Sequence, residues 1–262
     1  MGYRLIYNEE KLLQFLNRVL YNSSYGQCPN NLENSVFCLA IVARTKYLGK
    51  ESDVDIKSNL QFYKAVIRSK DRLVRKIKQV NLDYVVDRND TPIPPECMAV
   101  YVTLSPRDPL RAVKFMVSEL TELMYKTCIA YRACFESEEL FETKRLDVLA
   151  FTAYHKHKIK TQRVVIDVDA RGEKSTALEF ITRKVMPVCT YGVHTIVETH
   201  SGYHVYVDLC KLDKHAKAYL FQELSKIEHP GITEVNVNTD PMVVLPGTLQ
   251  GGFPVKEIEI PE

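Results

Sequence analysis

The sequence predicts an α/β (α+β) fold in two packed layers, on three observations. Aliphatic runs of strand length recur along the chain, segments with apolar residues at helical spacing stand between them, and no repeat or low-complexity stretch interrupts the alternation. In order, residues 9–20 carry Leu12, Leu13, Phe15, Leu16, Val19 and Leu20, an amphipathic helical pattern, and residues 22–33 form a loop rich in Asn, Ser and Gly. Residues 36–42 and 62–67 read as strands, and residues 70–80 as a helix with a strongly basic face. Residues 87–95, with Asp, Asn and three prolines, are the clearest linker. A strand follows at 98–104. After Ser105-Pro106-Arg107-Asp108 a helix begins whose Val113, Met116, Val117, Leu120, Leu123 and Met124 fall on one face, expected to be core. Ser137 is expected to cap a second helix running towards Tyr154. Beyond it the reading is strand 164–169, helix 175–185, strands 194–199 and 204–208, helix 215–227, and closing strands 243–245 and 255–260.

The 262 residues, 45% hydrophobic and 26% charged, suffice for one domain with a sizeable core and need neither disulfide nor metal to hold it. The seven cysteines form no C-x-x-C pair, which argues against a zinc ribbon and for small buried apolar residues. The first residues lack the apolar run of a signal peptide, Gly2 lacks the following Ser or Thr of a myristoylation site, and no stretch approaches the roughly 20 apolar residues of a membrane helix. The expectation is an intracellular protein, cytoplasmic or nuclear, without a membrane partner. Net charge is only +2, so the field of the whole chain announces no polyanion. Two local stretches do: Arg68, Lys70, Arg72, Arg75, Lys76 and Lys78 form one, and His155 to Arg163, with Lys156, Lys158 and Lys160, forms another that runs into the 164–169 strand. Each alone reads equally as a solvated face or linker; their number and the position of the second favour a phosphate backbone contact.

Three segments carry chemistry. In Val164-Val165-Ile166-Asp167-Val168-Asp169, three aliphatics precede an Asp-x-Asp, the pattern of a strand that is buried and then opens into a cleft. Strand side chains alternate, so Asp167 and Asp169 point to one side, and two carboxylates that close repel unless a cation lies between them. Oxygen ligands suit Mg²⁺ or Mn²⁺, which also take substrate phosphates and water. In Glu198-Thr199-His200-Ser201-Gly202-Tyr203-His204, two strands flank a tight polar turn. Ser201 and Gly202 offer a hydroxyl and backbone N–H groups to an anion, and His204 a hydrogen bond to a phosphate oxygen. His200 reads as structural or surface. In Asp240-Pro241 and the following Leu245-Pro246-Gly247-Thr248-Leu249, Asp240 either opens a turn or adds a third carboxylate. The glycines are not followed by the Lys of a P-loop.

Taken in this order, Ile166-Asp167-Val168-Asp169-Ala170, Ser201-Gly202-Tyr203-His204 and Leu245-Pro246-Gly247-Thr248-Leu249 resemble the catalytic core of the archaeo-eukaryotic primase superfamily, the primase-polymerases. The resemblance covers roughly residues 163–255, with a fainter likeness at Val102-Thr103-Leu104-Ser105-Pro106-Arg107-Asp108. It departs from the family where the second motif is compressed and where Val243 and Val244 stand in place of an Arg before Leu-Pro-Gly. The resemblance implies a primase-polymerase-like core in a single catalytic domain, 1–262. A mixed sheet with an RRM-like, metal- and nucleotide-binding part (161–262) would pack on an N-terminal helical and α/β part (1–160), with the active site between them. It implies template-directed nucleotidyl transfer with Mg²⁺ or Mn²⁺ in a two-metal site on the catalytic Asp167, Asp169 and Asp240. Nucleoside triphosphate would be bound by Ser201, Gly202 and His204. Lys158, Lys160 and Arg163 would contact a single-stranded nucleic-acid template. A helicase or an accessory primase subunit would be a natural replication partner. With fifteen Tyr and no Trp, base stacking would fall to Tyr or Phe, with Tyr203 and Tyr206 as candidates. The alternatives are a degenerate primase fold that binds nucleic acid or nucleotide without polymerising, and a metal-dependent phosphohydrolase or nuclease.

Overall fold

The structure is a computed structural model, and it describes residues 4–20, 36–49, 52–56, 59–132, 143–159, 163–189 and 191–259. Asn8 caps helix α1 (Glu9–Phe15) by accepting from the Lys11 N–H, and the helix continues through a π turn (Leu16–Leu20) that buries Leu16, Val19 and Leu20. Strand β1 (Phe37–Arg44) is apolar and buried until its last residue, as a central strand covered on both faces must be. Strand β2 (Asn59–Ile67) lies beside it at the sheet edge with a half-exposed alternation. Helix α2 (Lys70–Gln79), capped by Ser69, turns Leu73, Val74 and Ile77 to the core and its lysines and arginines outward. Strand β3 (Met98–Thr103) pairs with the other side of β1.

Residues 87–95 are a fastened turn rather than a linker. Asp87 accepts N–H bonds from Asp55, Asn89 and Thr91, Val86 bridges Pro92, and Ile93 is core. Asp108 then receives the Leu110 and Arg111 N–H groups at the start of helix α3 (Pro109–Arg132), which pairs with helix α4 (Thr143–Lys156). Here the structure corrects the helical periodicity. Val113, Val117 and Met124 are exposed, and so are Leu110 and Tyr125, because α3 packs mainly on α4 and sinks only Ala112 into the body. Period alone identifies an apolar face; it does not say that anything covers it. Ser137 and the 22–33 loop lie outside the described residues.

The second half runs β4 (Arg163–Ala170), α5 (Lys174–Phe180), a π turn (Ile181–Val185) leading into α6 (Met186–Cys189), β5 (Val193–Glu198), β6 (Gly202–Asp208), α7 (Lys214–Ala218) and β7 (Ile232–Asn238). Short strands β8 (Met242–Val244), β9 (Leu249–Gln250), β10 (Phe253–Pro254) and β11 (Lys256–Ile258) close the chain. Two sheets result. One has the order β10-β9-β3-β1-β2, with β8 also on β3; the other has the order β11-β5-β6-β4-β7. Within the second, β4-α5-β5-β6-α7-β7 is a β-α-β-β-α-β unit with β4 and β6 central, the split ferredoxin-like arrangement.

Every strand pairing among the described residues is antiparallel, so the architecture is α+β with two antiparallel sheets and not a mixed sheet. Nor does the chain divide cleanly near residue 160, since β8, β9 and β10 return to the first sheet. Val164, Ile166 and Val168 face a core shared with α5, α6 and α7, whereas Val165, Val197 and Tyr206 join the core between the sheets. By strand alternation Asp167 and Asp169 therefore face the first sheet. No helix among the described residues is long and apolar enough to cross a membrane.

Candidate functional site

Antiparallel register fixes which residues surround Asp167 and Asp169. On β6, His204 lies opposite Asp167 and Gly202 opposite Asp169; on β7, Asn236 lies opposite Asp167 and Glu234 opposite Asp169. Directly opposed residues share a face, so this end of the sheet presents Asp167, Asp169, His204, Asn236 and Glu234 together. Two residues back along β4, Val165 and its neighbour Tyr206 are buried against the first sheet, while the Asp167 side chain is 43% exposed. Asp167 and Asp169 thus stand where burial between the sheets gives way to solvent.

Short-range bonds hold the group. Ser201 Oγ donates to Asp169 Oδ1 at 2.6 Å, and His204 Nε2 stands 3.4 Å from Asp167 Oδ1. Apart from His204, Asp167 Oδ1 is a buried oxygen without a hydrogen-bond partner among the described residues, and His204 Nδ1 is likewise buried without one. Burial works to raise the Asp167 pKa, but the His204 hydrogen bond and charge, with Lys46 and Arg44 across the cleft, outweigh it, and the carboxyl sits below its ordinary 3.8. It is therefore ionised at neutral pH. Its contribution to stability is present above 3.8 and is lost as pH falls through the lower folded value. We expect His204→Ala to raise the Asp167 pKa in a carboxyl ¹³C titration, because burial stays and the main lowering contact goes; an unmoved titration would remove His204 from this account.

Gly202 explains the short second motif. A Cβ there would meet the Val168 carbonyl oxygen at 1.9 Å, so only glycine lets β6 start this close to β4. Its N–H is not offered to a ligand, since it donates to Thr199 Oγ1. Lys174, on α5, braces the same turn: its ammonium donates to the Thr199 carbonyl at 2.6 Å and to Glu198 at 3.1 Å, over the Phe253 ring. His200 packs on Tyr47 with centroids 4.7 Å apart. Partial burial, then the Lys46 and Lys174 charges, lower its pKa, so it is neutral at pH 7. The Leu245-Pro246-Gly247-Thr248 turn is likewise structural. Gly247, at φ +88°, accepts the Tyr7 and Asn8 N–H groups with its carbonyl, and Thr248 bonds back to Leu245.

The other expected site residues stand apart. Asp240 follows the far end of β7, where Asn238 pairs with Val165, and both its oxygens accept from Arg107, at 2.8 and 2.9 Å. Arg107 is fully buried and also donates to the His155 carbonyl. Asp240 is thus the partner of a buried guanidinium and is not brought to Asp167. Arg163 donates to the Val19 carbonyl at the opposite end of β4 from Asp169, roughly 20 Å away at ~3.3 Å per residue. Lys158 is exposed and bridges Arg107 through the backbone; Lys160 lies outside the described residues. Tyr203 and Tyr206 are core residues, Tyr206 edge-on to Phe15. On the 68–78 stretch Lys78 pairs with Glu9 and Lys70 with Asn17, while Arg68, Arg72 and Arg75 are exposed.

Sequence reasoning missed Glu234 and Asn236, on a strand it did not recognise, Arg44 and Lys46, which are distant along the chain, and Lys174, which lies just past the acidic strand but in no motif. Asn236 and Glu234 were legible only as alternate residues in Ile232-Thr233-Glu234-Val235-Asn236-Val237, a period-2 pattern.

Among the described residues no group of three or more His, Cys, Asp or Glu side chains is gathered as a ligand shell. The donor set nevertheless fits a hard divalent cation bound in part by substrate: two carboxylates on one strand, one with a buried oxygen whose sole neighbour among the described polar groups is His204, at 3.4 Å. Mg²⁺ is commonly held by one or two carboxylates plus substrate phosphates and water. No protein-family model, no curated protein and no solved structure matches this chain, so the reading of the site rests on its own geometry.

Proposed function

We propose that the protein is a metal-dependent nucleotidyltransferase of the primase-polymerase type, extending or initiating a nucleic-acid strand on a single-stranded template. The observation that carries this reading is the constellation at the cleft: Asp167 and Asp169 on one face of β4, each touched by a residue of the Ser201–His204 segment. Asp167 and Asp169 would hold Mg²⁺ or Mn²⁺, which when bound supplies charge neutralisation for a triphosphate and acidifies a hydroxyl nucleophile. Ser201 fixes the Asp169 carboxylate in one orientation, and His204 Nε2, which faces Asp167, would turn to a phosphate oxygen once a metal takes that carboxylate. Positioning and charge stabilisation then account for most of the rate. The β-α-β-β-α-β topology supports the expected RRM-like half.

A second reading, a primase-type fold that binds nucleotide or nucleic acid without polymerising, is favoured by one observation: the third carboxylate, Asp240, is engaged by Arg107. Incorporation of labelled nucleotide on a single-stranded template with Mg²⁺ or Mn²⁺ separates the two. We expect product from the wild type and at least a hundredfold less from Asp167→Ala and from Asp169→Ala, a deficit of about 3 kcal/mol in transition-state stabilisation. Nucleotide binding without product from the wild type would establish the second reading.

A further inference from the structure

The wall facing the two aspartates carries two cations that take no carboxylate partner among the described residues. Arg44 ends β1, and Lys46 lies in the short 3₁₀ turn (Thr45–Tyr47) that follows. Arg44 is anchored from its own sheet: Nε donates to Asn59 Oδ1 at 2.8 Å and Nη1 to the Tyr101 hydroxyl at 2.9 Å. Its guanidinium stands 5.8 and 6.0 Å from the Tyr47 and Tyr101 ring centroids. Lys46 Nζ stands 5.3 Å from the Tyr47 ring and donates to Ser201 Oγ at 3.4 Å, the hydroxyl that itself donates to Asp169. Neither cation comes within 4.0 Å of a carboxylate oxygen among the described residues. Lys46 nevertheless reaches the acidic strand through one intervening hydroxyl, that of Ser201.

Opposite charges that stand one hydroxyl apart and do not touch are held apart by their scaffolds. Arg44 is fixed by uncharged acceptors and aromatic faces, Asp169 by Ser201, and the two sheets keep the walls separate. A purely structural ion pair would close to contact, since the attraction grows steeply as the charges approach in a half-buried cleft. A gap with carboxylates on one side and cations on the other is complementary to a ligand with charge of both signs. A metal-bound polyphosphate is such a ligand: its cation meets the carboxylates, and its phosphate oxygens meet the guanidinium and the ammonium. The division of labour suits the side chains, because a planar Arg fork matches phosphate oxygens and a Lys ammonium serves as a mobile point charge.

We infer that Arg44 and Lys46 bind the phosphate groups of a nucleoside triphosphate whose metal is held by Asp167 and Asp169, so that the nucleotide bridges the two sheets. This rests on the nucleotidyltransferase reading and adds to it a phosphate-binding wall contributed by the first sheet. It also supplies cationic phosphate contacts at a site where Gly202 keeps its N–H for the turn.

The test uses the full chain and two probes, Mn²⁺ alone followed by electron paramagnetic resonance, and ATP carrying a fluorescent ribose label, titrated with Mn²⁺ present. Lys46 is exposed, so Lys46→Ala leaves the fold intact; Lys46→Arg and Arg44→Gln complete the set. We expect Lys46→Ala and Arg44→Gln each to weaken labelled ATP about tenfold or more, the loss of a charge-assisted hydrogen bond. Lys46→Arg should recover most of that affinity, and labelled adenosine should not distinguish any variant from wild type. Mn²⁺ alone should bind both variants at least as tightly as wild type, since each has lost a repelling cation. Wild-type affinity for ATP in both variants would overturn the inference while leaving the metal site standing. Wild type that binds no Mn²⁺, with ATP affinity indifferent to Asp169→Ala, would overturn the function reading and this inference with it.

Discussion

Replacing Asp240 with alanine is expected to destabilise the protein by about 3–5 kcal/mol, the usual result of leaving one member of a buried ion pair uncompensated. Arg107 is fully buried, and both Asp240 oxygens accept from its guanidinium. Among the described residues Arg107 Nε has no hydrogen-bond partner, so little else there can absorb the charge when the carboxylate goes. The shift should be visible as a fall in melting temperature on the order of 10 °C. The reverse change, Arg107→Ala, leaves Asp240 with a 21% exposed side chain that water can reach, but opens a cavity and removes the bond to the His155 carbonyl. It should cost a comparable amount through packing. Changing both together, Arg107→Met with Asp240→Leu, should recover most of the loss, because paired apolar replacements of a buried ion pair are often neutral or better. This series also decides what Asp240 does. If Asp240→Ala keeps its melting temperature and loses only nucleotide incorporation, Asp240 is a metal ligand and the ion pair is secondary.

Gly202→Ala is expected to be nearly as damaging, at about 3 kcal/mol, the upper end of what overpacking costs. The added methyl would overlap the Val168 carbonyl oxygen, which is backbone of the central strand and cannot rotate away. Relief requires the start of β6 to draw back from β4. That movement breaks the register in which Gly202 faces Asp169 and His204 faces Asp167, and it lengthens the Ser201–Asp169 bond. Unlike Asp240→Ala, this change should therefore damage stability and metal binding together. Thermal melting and Mn²⁺ titration of one preparation test it: a variant that melts lower yet binds Mn²⁺ as wild type would show that the turn does not position Asp169.

How much of this was legible in the sequence follows from the range of each interaction. Val164 to Asp169 declared itself because strand alternation is local. Three aliphatics and two spaced aspartates already say which side chains go in and which stay out, and the structure sets them so. The helix at residues 70–80 is local in the same sense, whereas the need for glycine at 202 is not, because it comes from the Val168 carbonyl of a neighbouring strand. The apolar stripe on α3 was equally legible, but its exposure was not, because covering a face needs a second element whose position no local pattern encodes.

The same distinction divides the site. Asp167, Asp169, Ser201 and His204 could be named from the sequence, since each sits in a motif whose spacing implies a shared strand end. Two assignments needed the fold. Asp240 precedes a strand, as a third metal carboxylate would, and only long-range packing reveals the buried Arg107, 133 positions earlier in the chain, that takes it. Arg44 and Lys46 carry no motif; they stand opposite the aspartates, without touching them, because β1 and β4 belong to two sheets packed on one core. The sequence by itself determined the chemistry of the acidic strand, because backbone alternation acts between near neighbours. Tertiary structure alone decided which charges stand opposite it, because that depends on how two sheets pack.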